Sequence, residues 1–199
     1  MNKNIHPIFD SILGTDKKEA LLQQNSIVIW MVGLSGSGKS TIARALENSL
    51  FEKGYLTALL DGDNLRTGVN NNLGFSEEDR TENIRRAAEA SKLISSNGVI
   101  TICSLISPTD DIRVMAKNIL GDRYCEVFVS CPLEVCEQRD VKGLYAKARK
   151  GEIKSFTGID SPFEDPKNPD IKLETDKYEL EEVLDQLLKF VIPKIKYNS

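Results

Sequence analysis

The residues whose types and spacing speak most directly of chemistry are Gly33-Leu34-Ser35-Gly36-Ser37-Gly38-Lys39-Ser40-Thr41, a G-x-x-x-x-G-K-[ST] run. Glycines let the backbone curl until its N–H groups converge on one polyanion, and a lysine followed by a hydroxyl brings a cation and a metal ligand to the same point. Lys39 would reach the β- and γ-phosphates of a nucleoside triphosphate, and Ser40 a Mg²⁺ ion. That run says what is bound, not what receives the phosphate. A second set lies in Asp61-Gly62-Asp63-Asn64-Leu65-Arg66. On an extended segment Asp61 and Asp63, two apart across a glycine, would both face the phosphate loop, one serving the Mg²⁺ water shell and the other an acceptor hydroxyl. A carboxylate near the nucleophile orients it or accepts its proton late in phosphoryl transfer, and Asp63 is the candidate. Arg66, and Arg80 with Asn83 three residues apart on one helix face, offer forks for a sulfate or phosphate and an amide for a base edge or ribose hydroxyl. Taken alone, the Arg80 and Asn83 pair reads equally well as a solvated helix face.

These side chains need elements to carry them. The apolar run Ile27 to Val32 reads as a buried parallel strand ahead of the loop, and Ile42, Ala43, Ala45, Leu46 and Leu50 as the inner stripe of the helix after it, ending near Gly54. Leu56 to Leu60 forms a second strand that delivers Asp61 to the strand's C-terminal edge, where open α/β sheets bind ligands. Ser76 with Asp79 reads as a capping pair opening a helix that runs to Gly98. Val99 to Leu105, Cys125 to Val129 and Ile171 to Leu173 supply three more strands, with a helix around Ile112 to Ile119 and a closing amphipathic helix through Leu180, Val183, Leu187 and Val191. The alternation predicts an α/β fold with a roughly five-stranded parallel sheet flanked by helices.

With 199 residues there is room for one such domain and not two, divided here into an extension at 1–26, packing on the domain or on a neighbouring subunit, and a domain at 27–199. The net charge of −4 argues against a general nucleic-acid or anionic-membrane surface. No signal-peptide pattern or membrane-length apolar run is present, so a cytoplasmic enzyme is expected. Cys103, Cys125, Cys131 and Cys136 lack metal-site spacing and the one histidine is His6, which speaks against a zinc site or a histidine-based triad.

Between about 141 and 169 the regular pattern weakens while Gly, Pro, Lys and Arg accumulate. Lys142, Lys147, Arg149, Lys150 and Lys154 against one acidic residue, Glu152, make a basic segment on an acidic chain, read as a mobile lid over two polyanions or as a solvated loop. Phe75, Phe156 and Phe163 lie in polar, glycine-containing surroundings and serve either as purine-stacking platforms or as core.

Taken together, the phosphate loop, Asp61 to Arg66, Leu73-Gly74-Phe75-Ser76, Arg80 with Asn83, Ile106-Ser107-Pro108, Lys142-Gly143-Leu144-Tyr145 and Phe156-Thr157-Gly158-Ile159-Asp160 closely resemble the adenylylsulfate (APS) kinase family, over roughly residues 27–175. The resemblance implies a P-loop kinase that transfers the γ-phosphate of ATP, with Mg²⁺, to the ribose 3′-hydroxyl of APS, giving 3′-phosphoadenylyl sulfate in sulfate activation. It implies that Asp63, Arg66, Phe75, Arg80, Asn83, Ile106, Ser107, Lys142 and Phe156 surround the acceptor, that Lys39, Asp63, Ser107 and Lys142 carry catalysis, and that Ser40 and Asp61 hold the metal. A homodimer and a possible hand-over of APS from an ATP sulfurylase follow from it as well. The family's phosphoserine intermediate would fall on Ser107, but no histidine stands near to activate a serine and in-line transfer needs no covalent step, so binding is the role expected. Where the family often continues with an aromatic residue and arginines, this chain has Thr109-Asp110-Asp111-Ile112-Arg113. Two alternatives remain on residues alone: a kinase of the same fold using another small nucleotide-like hydroxyl, and a nucleotide-dependent switch with little turnover.

Overall fold

The computed structural model describes residues 4–197. Five strands, β1 (Val28–Val32), β2 (Thr57–Asp61), β3 (Ile100–Ser104), β4 (Tyr124–Ser130) and β5 (Ile171–Glu174), alternate with eight helices. The helices are α1 (Thr15–Leu22), α2 (Lys39–Glu52), α3 (Gly62–Thr67), α4 (Glu77–Ser95), α5 (Asp110–Leu120), α6 (Leu133–Arg139), α7 (Leu144–Arg149) and α8 (Leu180–Ile195). All strand pairings are parallel, in the spatial order β2-β3-β1-β4-β5. β1 is central, and the chain leaves it toward β3 on one side and β4 on the other. This reversal opens the crevice at the C-terminal end of β1 in which such sheets hold ligands.

The sequence of β1 shows no polar alternation because both of its faces are covered. Ile29 and Met31 meet Ile42, Leu46 and Leu50 of α2 and Val183, Leu187 and Val191 of α8. Val28, Trp30 and Val32 meet Ile84, Ala87 and Ala88 of α4 and Ile112 and Ala116 of α5. A smaller cluster of Leu34, Cys131, Cys136 and Tyr145, flanked by Phe156, Ile159 and Phe163, lies under the segment after β4. All four cysteines are buried thiols.

Local chemistry sets the helix ends. Ser76 Oγ accepts from the Asp79 amide at 3.1 Å, but the Asp79 carboxylate turns to the Gly74 amide at 2.9 Å instead of closing a reciprocal box. Gly54 and Gly98 follow α2 and α4 at φ +85° and +80°, a conformation that favours glycine. α8 opens with a capping box between Glu179 and Glu182. In the extension, α1 lies against the turn between α4 and β3, with Thr15 Oγ1 donating to Ser96 O at 3.0 Å and Lys18 Nζ to Asn97 at 2.7 Å. Ile5, Ile8, Phe9, Ile12 and Leu13 are exposed. No helix among the described residues is long and apolar enough to cross a membrane.

Candidate functional site

The phosphate loop spans the gap between β1 and α2. Gly36 and Gly38 adopt φ +76° and +98°, where a side chain would strain the backbone. At Gly33 the reason for glycine is space: a Cβ would lie 2.5 Å from the Val129 carbonyl oxygen and 2.8 Å from Ser37 Oγ. Lys39 is only 8% exposed, and its Nζ donates to Gly33 O at 2.8 Å and Leu34 O at 2.7 Å. Burial outweighs the attraction of nearby acidic groups and lowers its pKa to about 8. Next to it, Ser40 Oγ donates to Asp61 Oδ2 at 2.7 Å and lies 3.1 Å from Ser104 Oγ, which brings the ends of β2 and β3 to the loop.

Asp61 and Asp63 do not lie on one extended segment, as the sequence suggests. Asp61 ends β2 and caps α3, its Oδ1 accepting from the Asp63 amide at 3.0 Å, while Asp63 is in the first turn of that helix. A glycine between two acidic residues can serve a helix start as well as a strand, and here the cap decides. Helix α3 turns Asp63 away from Ser40 toward Lys142, with which it forms an ion pair. The same short helix carries Arg66 in its last turn, so the cap that meets Ser40, the carboxylate of Asp63 and the first arginine lie on one element.

On the acceptor side, Arg66 Nη1 donates to Gly74 O at 2.7 Å and its guanidinium lies 4.4 Å from the centre of the Phe75 ring, which is 62% exposed. Arg80 Nε donates to Phe75 O at 3.0 Å, and its other nitrogens donate to Thr157 Oγ1 and Ser155 O. Burial lowers the pKa of both arginines, and for Arg80 the charge of Arg66 adds to the effect. Both remain cationic, so two like charges face one region. Asn83, 6% exposed, accepts at Oδ1 from Asn70 Nδ2 at 2.9 Å.

Ser107 is 1% exposed, with φ +47°. Its hydroxyl accepts from Trp30 Nε1 at 3.0 Å and its carbonyl from Arg113 Nη1 at 3.0 Å, so the side chain is tied into the core. The half-buried Ile106 uses its carbonyl to accept from the Gly33 amide at 3.4 Å. The unusual Thr109-Asp110-Asp111-Ile112 run is taken up by the fold. Asp110 pairs with Arg113 and, at 3.1 Å, with Lys167, while the Asp110 amide donates to Glu164 at 2.7 Å.

The segment read as a lid, about 141–169, follows the short helix α6 and itself begins with α7, neither of which has a long periodic stripe in the sequence. Arg149 pairs with Glu137 at 2.8 Å, removing it from any free basic patch. Phe156 packs edge-on to Tyr145 with ring centres 5.0 Å apart, whereas Phe163 stacks on Phe128 and belongs to the core. Three residues that the sequence did not single out brace the phosphate loop: Tyr145 Oη donates to Ser35 O at 2.9 Å, Thr175 Oγ1 to Ser37 O at 2.8 Å, and Arg139 Nη2 to Thr175 O at 2.6 Å. Tyr145 belongs to the Lys142-Gly143-Leu144-Tyr145 run, and its polar tip is the signal that could have found it. Thr175 carries no signal until β5 and the loop are placed together.

A five-stranded parallel sheet with this loop after its central strand, and with Arg66 and Arg80 carried by α3 and α4 after the neighbouring strand β2, defines a P-loop kinase. Residues 25–174 match the adenylylsulphate kinase family, and the chain belongs to it. It is 61% identical over 194 residues to an adenylyl-sulfate kinase of Bacteroides thetaiotaomicron, covering 97% of this chain and 96% of that one. It is 55% identical to one of Clostridium acetobutylicum, covering 87% of each. Among solved structures, the APS kinase CysC of Mycobacterium tuberculosis, in complex with AMPPNP and APS, superposes with a TM-score of 0.81 at 45% identity, over 84% of this chain and 98% of that one.

Proposed function

We propose that this chain transfers the γ-phosphate of MgATP to the ribose 3′-hydroxyl of adenosine 5′-phosphosulfate, releasing ADP and 3′-phosphoadenylyl sulfate. The observation that carries this reading is the placement of α3, whose cap Asp61 accepts from Ser40 of the phosphate loop and which carries Asp63 in its first turn and Arg66 in its last. One short helix thus joins the site for a triphosphate to the arginines available for a second anion. Lys39 neutralises charge on the transferred phosphoryl group, Arg66 and Arg80 hold the sulfate end of the acceptor, and Phe75 and Phe156 flank its base. Asp63 orients the 3′-hydroxyl and takes its proton as the bond to phosphorus forms, while Lys142 balances the charge of that carboxylate. Before an anion enters, Lys39 and Arg80 donate to main-chain carbonyls, which release them without leaving a buried carboxylate unpaired.

The donor set fits magnesium: Ser40 and Asp61 offer hard oxygen ligands 2.7 Å apart beside the loop, and no cluster of three or more His, Cys, Asp or Glu among the described residues forms a dedicated metal cage. Ser40 and Asp61 would hold the ion, which when bound would supply positive charge against the phosphates. The buried Ser37 hydroxyl, which has no partner, is the kind of loop group that a ligand completes. The exposed apolar side chains of residues 5–13 support a homodimer, and a cytoplasmic location is part of the same proposal. APS is a mixed anhydride of a phosphate and sulfate, made by joining an adenylyl group to sulfate, and an ATP sulfurylase is the partner proposed to hand it over.

The test is ADP release with a panel of nucleotide-like acceptors. APS should be preferred by at least about 10²-fold in kcat/KM, the scale of a site built to pair a charged group. Equal or greater use of another acceptor would refute the assignment, and tight ATP binding without acceptor-dependent ADP release would make the chain a switch.

A further inference from the structure

Asn70 lies in the connection between α3 and α4 and is fully buried, although asparagines in connections are usually solvated. Its backbone is fixed at both groups, the amide donating to Leu65 O at 2.8 Å and the carbonyl accepting from Leu73 N at 3.0 Å. Arg86 binds the same connection to α4, donating to Val69 O at 3.0 Å and Asn72 Oδ1 at 2.8 Å. Within this fixed frame Asn70 Nδ2 donates to Asn83 Oδ1 at 2.9 Å, while Asn70 Oδ1 is buried with no partner. A buried, unpartnered amide oxygen in a well-braced loop calls for an explanation.

The explanation lies in the polarity it imposes on Asn83. The opposite amide orientation would leave an NH2 group buried and unpaired and would bring the Asn70 oxygen 3.5 Å from the Asn83 carbonyl oxygen, two acceptors facing one another. With its oxygen occupied, Asn83 has only its Nδ2 left. That nitrogen makes no hydrogen bond among the described residues and is not sealed from solvent, although the residue is 6% exposed. We infer that Asn70 is a positioning residue: its amide holds Asn83 by the oxygen, so that the acceptor site presents an N–H donor beside Arg80 and selects a nucleotide offering a hydrogen-bond acceptor there, as an oxygen of its anionic end does. The role assigned to Asn70 rests on the APS reading, because Asn83 meets a nucleotide only if the acceptor binds beside Arg80.

The experiment replaces Asn70 with aspartate and, separately, alanine, and measures steady-state kinetics with APS and MgATP together with thermal unfolding. Burial raises the carboxyl pKa in Asn70→Asp, and a protonated carboxyl can still donate to Asn83 Oδ1, so the kinetics are followed from pH 6 to 9; once ionised, both oxygens accept, and Asn83 must turn its Nδ2 inward and show its oxygen to the ligand. KM for APS should rise by about 10- to 100-fold while kcat and KM for ATP stay within about twofold, since ground-state and transition-state binding of the acceptor are lost equally. Asn70→Ala leaves Asn83 free to rotate, and KM for APS should rise by only about two- to fivefold. A residue that merely filled space would show the reverse order, alanine worse than its near-isostere aspartate. That order, or an Asn70→Asp enzyme with unchanged KM for APS, would overturn the inference while wild-type turnover of APS left the function standing. If Asn70→Asp does not fold, Asn83→Asp presents the same outward oxygen, and an unchanged KM for APS there would overturn it equally. A wild-type chain that does not use APS would remove both.

Discussion

Lys39 makes the closed phosphate loop sensitive to pH in a way that nucleotide binding should reveal. Without an anion, its ammonium is buried against the carbonyls of Gly33 and Leu34, and its pKa falls from 10.5 to about 8. A triphosphate in the loop replaces those dipoles with full negative charge and returns the lysine to its ordinary range. Binding must then take up roughly 0.1 proton at pH 7, about 0.5 at pH 8 and about 0.9 at pH 9, the differences between two titration curves centred near 8 and 10.5. The same linkage weakens MgATP affinity by about tenfold, or ~1.4 kcal/mol, between pH 7 and 9. The sign is opposite for the ligand-free fold. Lowering the pKa of a lysine costs stability in full below about 8, and stability recovers as the pH climbs toward 10.5. Titration calorimetry of MgATP in buffers of different ionisation enthalpy measures the uptake directly, with Lys39→Met as the blank. Uptake below about 0.2 proton at pH 9, or equal uptake in Lys39→Met, would refute the reasoning, because no other group ascribed to the loop has a pKa lowered into this range.

Two further outcomes test particular contacts. Ser107→Ala removes the acceptor of the buried Trp30 N–H and should cost about 1–3 kcal/mol in chemical denaturation, yet leave kcat within tenfold. Enzyme quenched with acid after labelled ATP alone should carry no stoichiometric phosphate on Ser107, and phosphate that chases into product would restore a covalent step. Gly33→Ala places a Cβ against the Val129 carbonyl, so the loop must shift; KM for ATP should rise by more than about tenfold with the far-ultraviolet spectrum intact, and a normal KM would show that the approach is not needed.

Much of the fold was legible in one dimension because burial leaves a periodic trace. The continuous apolar run of β1, the inner stripe of α2 and the glycines after α2 and α4 have local causes, and local causes are written in local sequence. The phosphate loop is legible for the same reason, since backbone curvature, lysine and hydroxyl all fall within nine residues. Helix α7 is not legible because its six residues include two basic ones and present no long stripe. Phe163 could not be told from a stacking ring until Phe128 was placed beneath it.

By itself, then, the sequence determined the residue types available to the reaction and the strand edge to which most of them are delivered. Only the tertiary structure decided which way they point. Asp63 turns to Lys142 because Asp61 caps a helix, Ser107 is withdrawn because Trp30 N–H needs an acceptor, and Asn83 exposes a donor because Asn70 holds its oxygen. The physical reason is the same in each case. A hydrogen bond is directional and its partner lies at a sequence distance of 2, 13, 77 or 79 residues, so its orientation is fixed when the chain closes on itself and is not encoded in either residue alone.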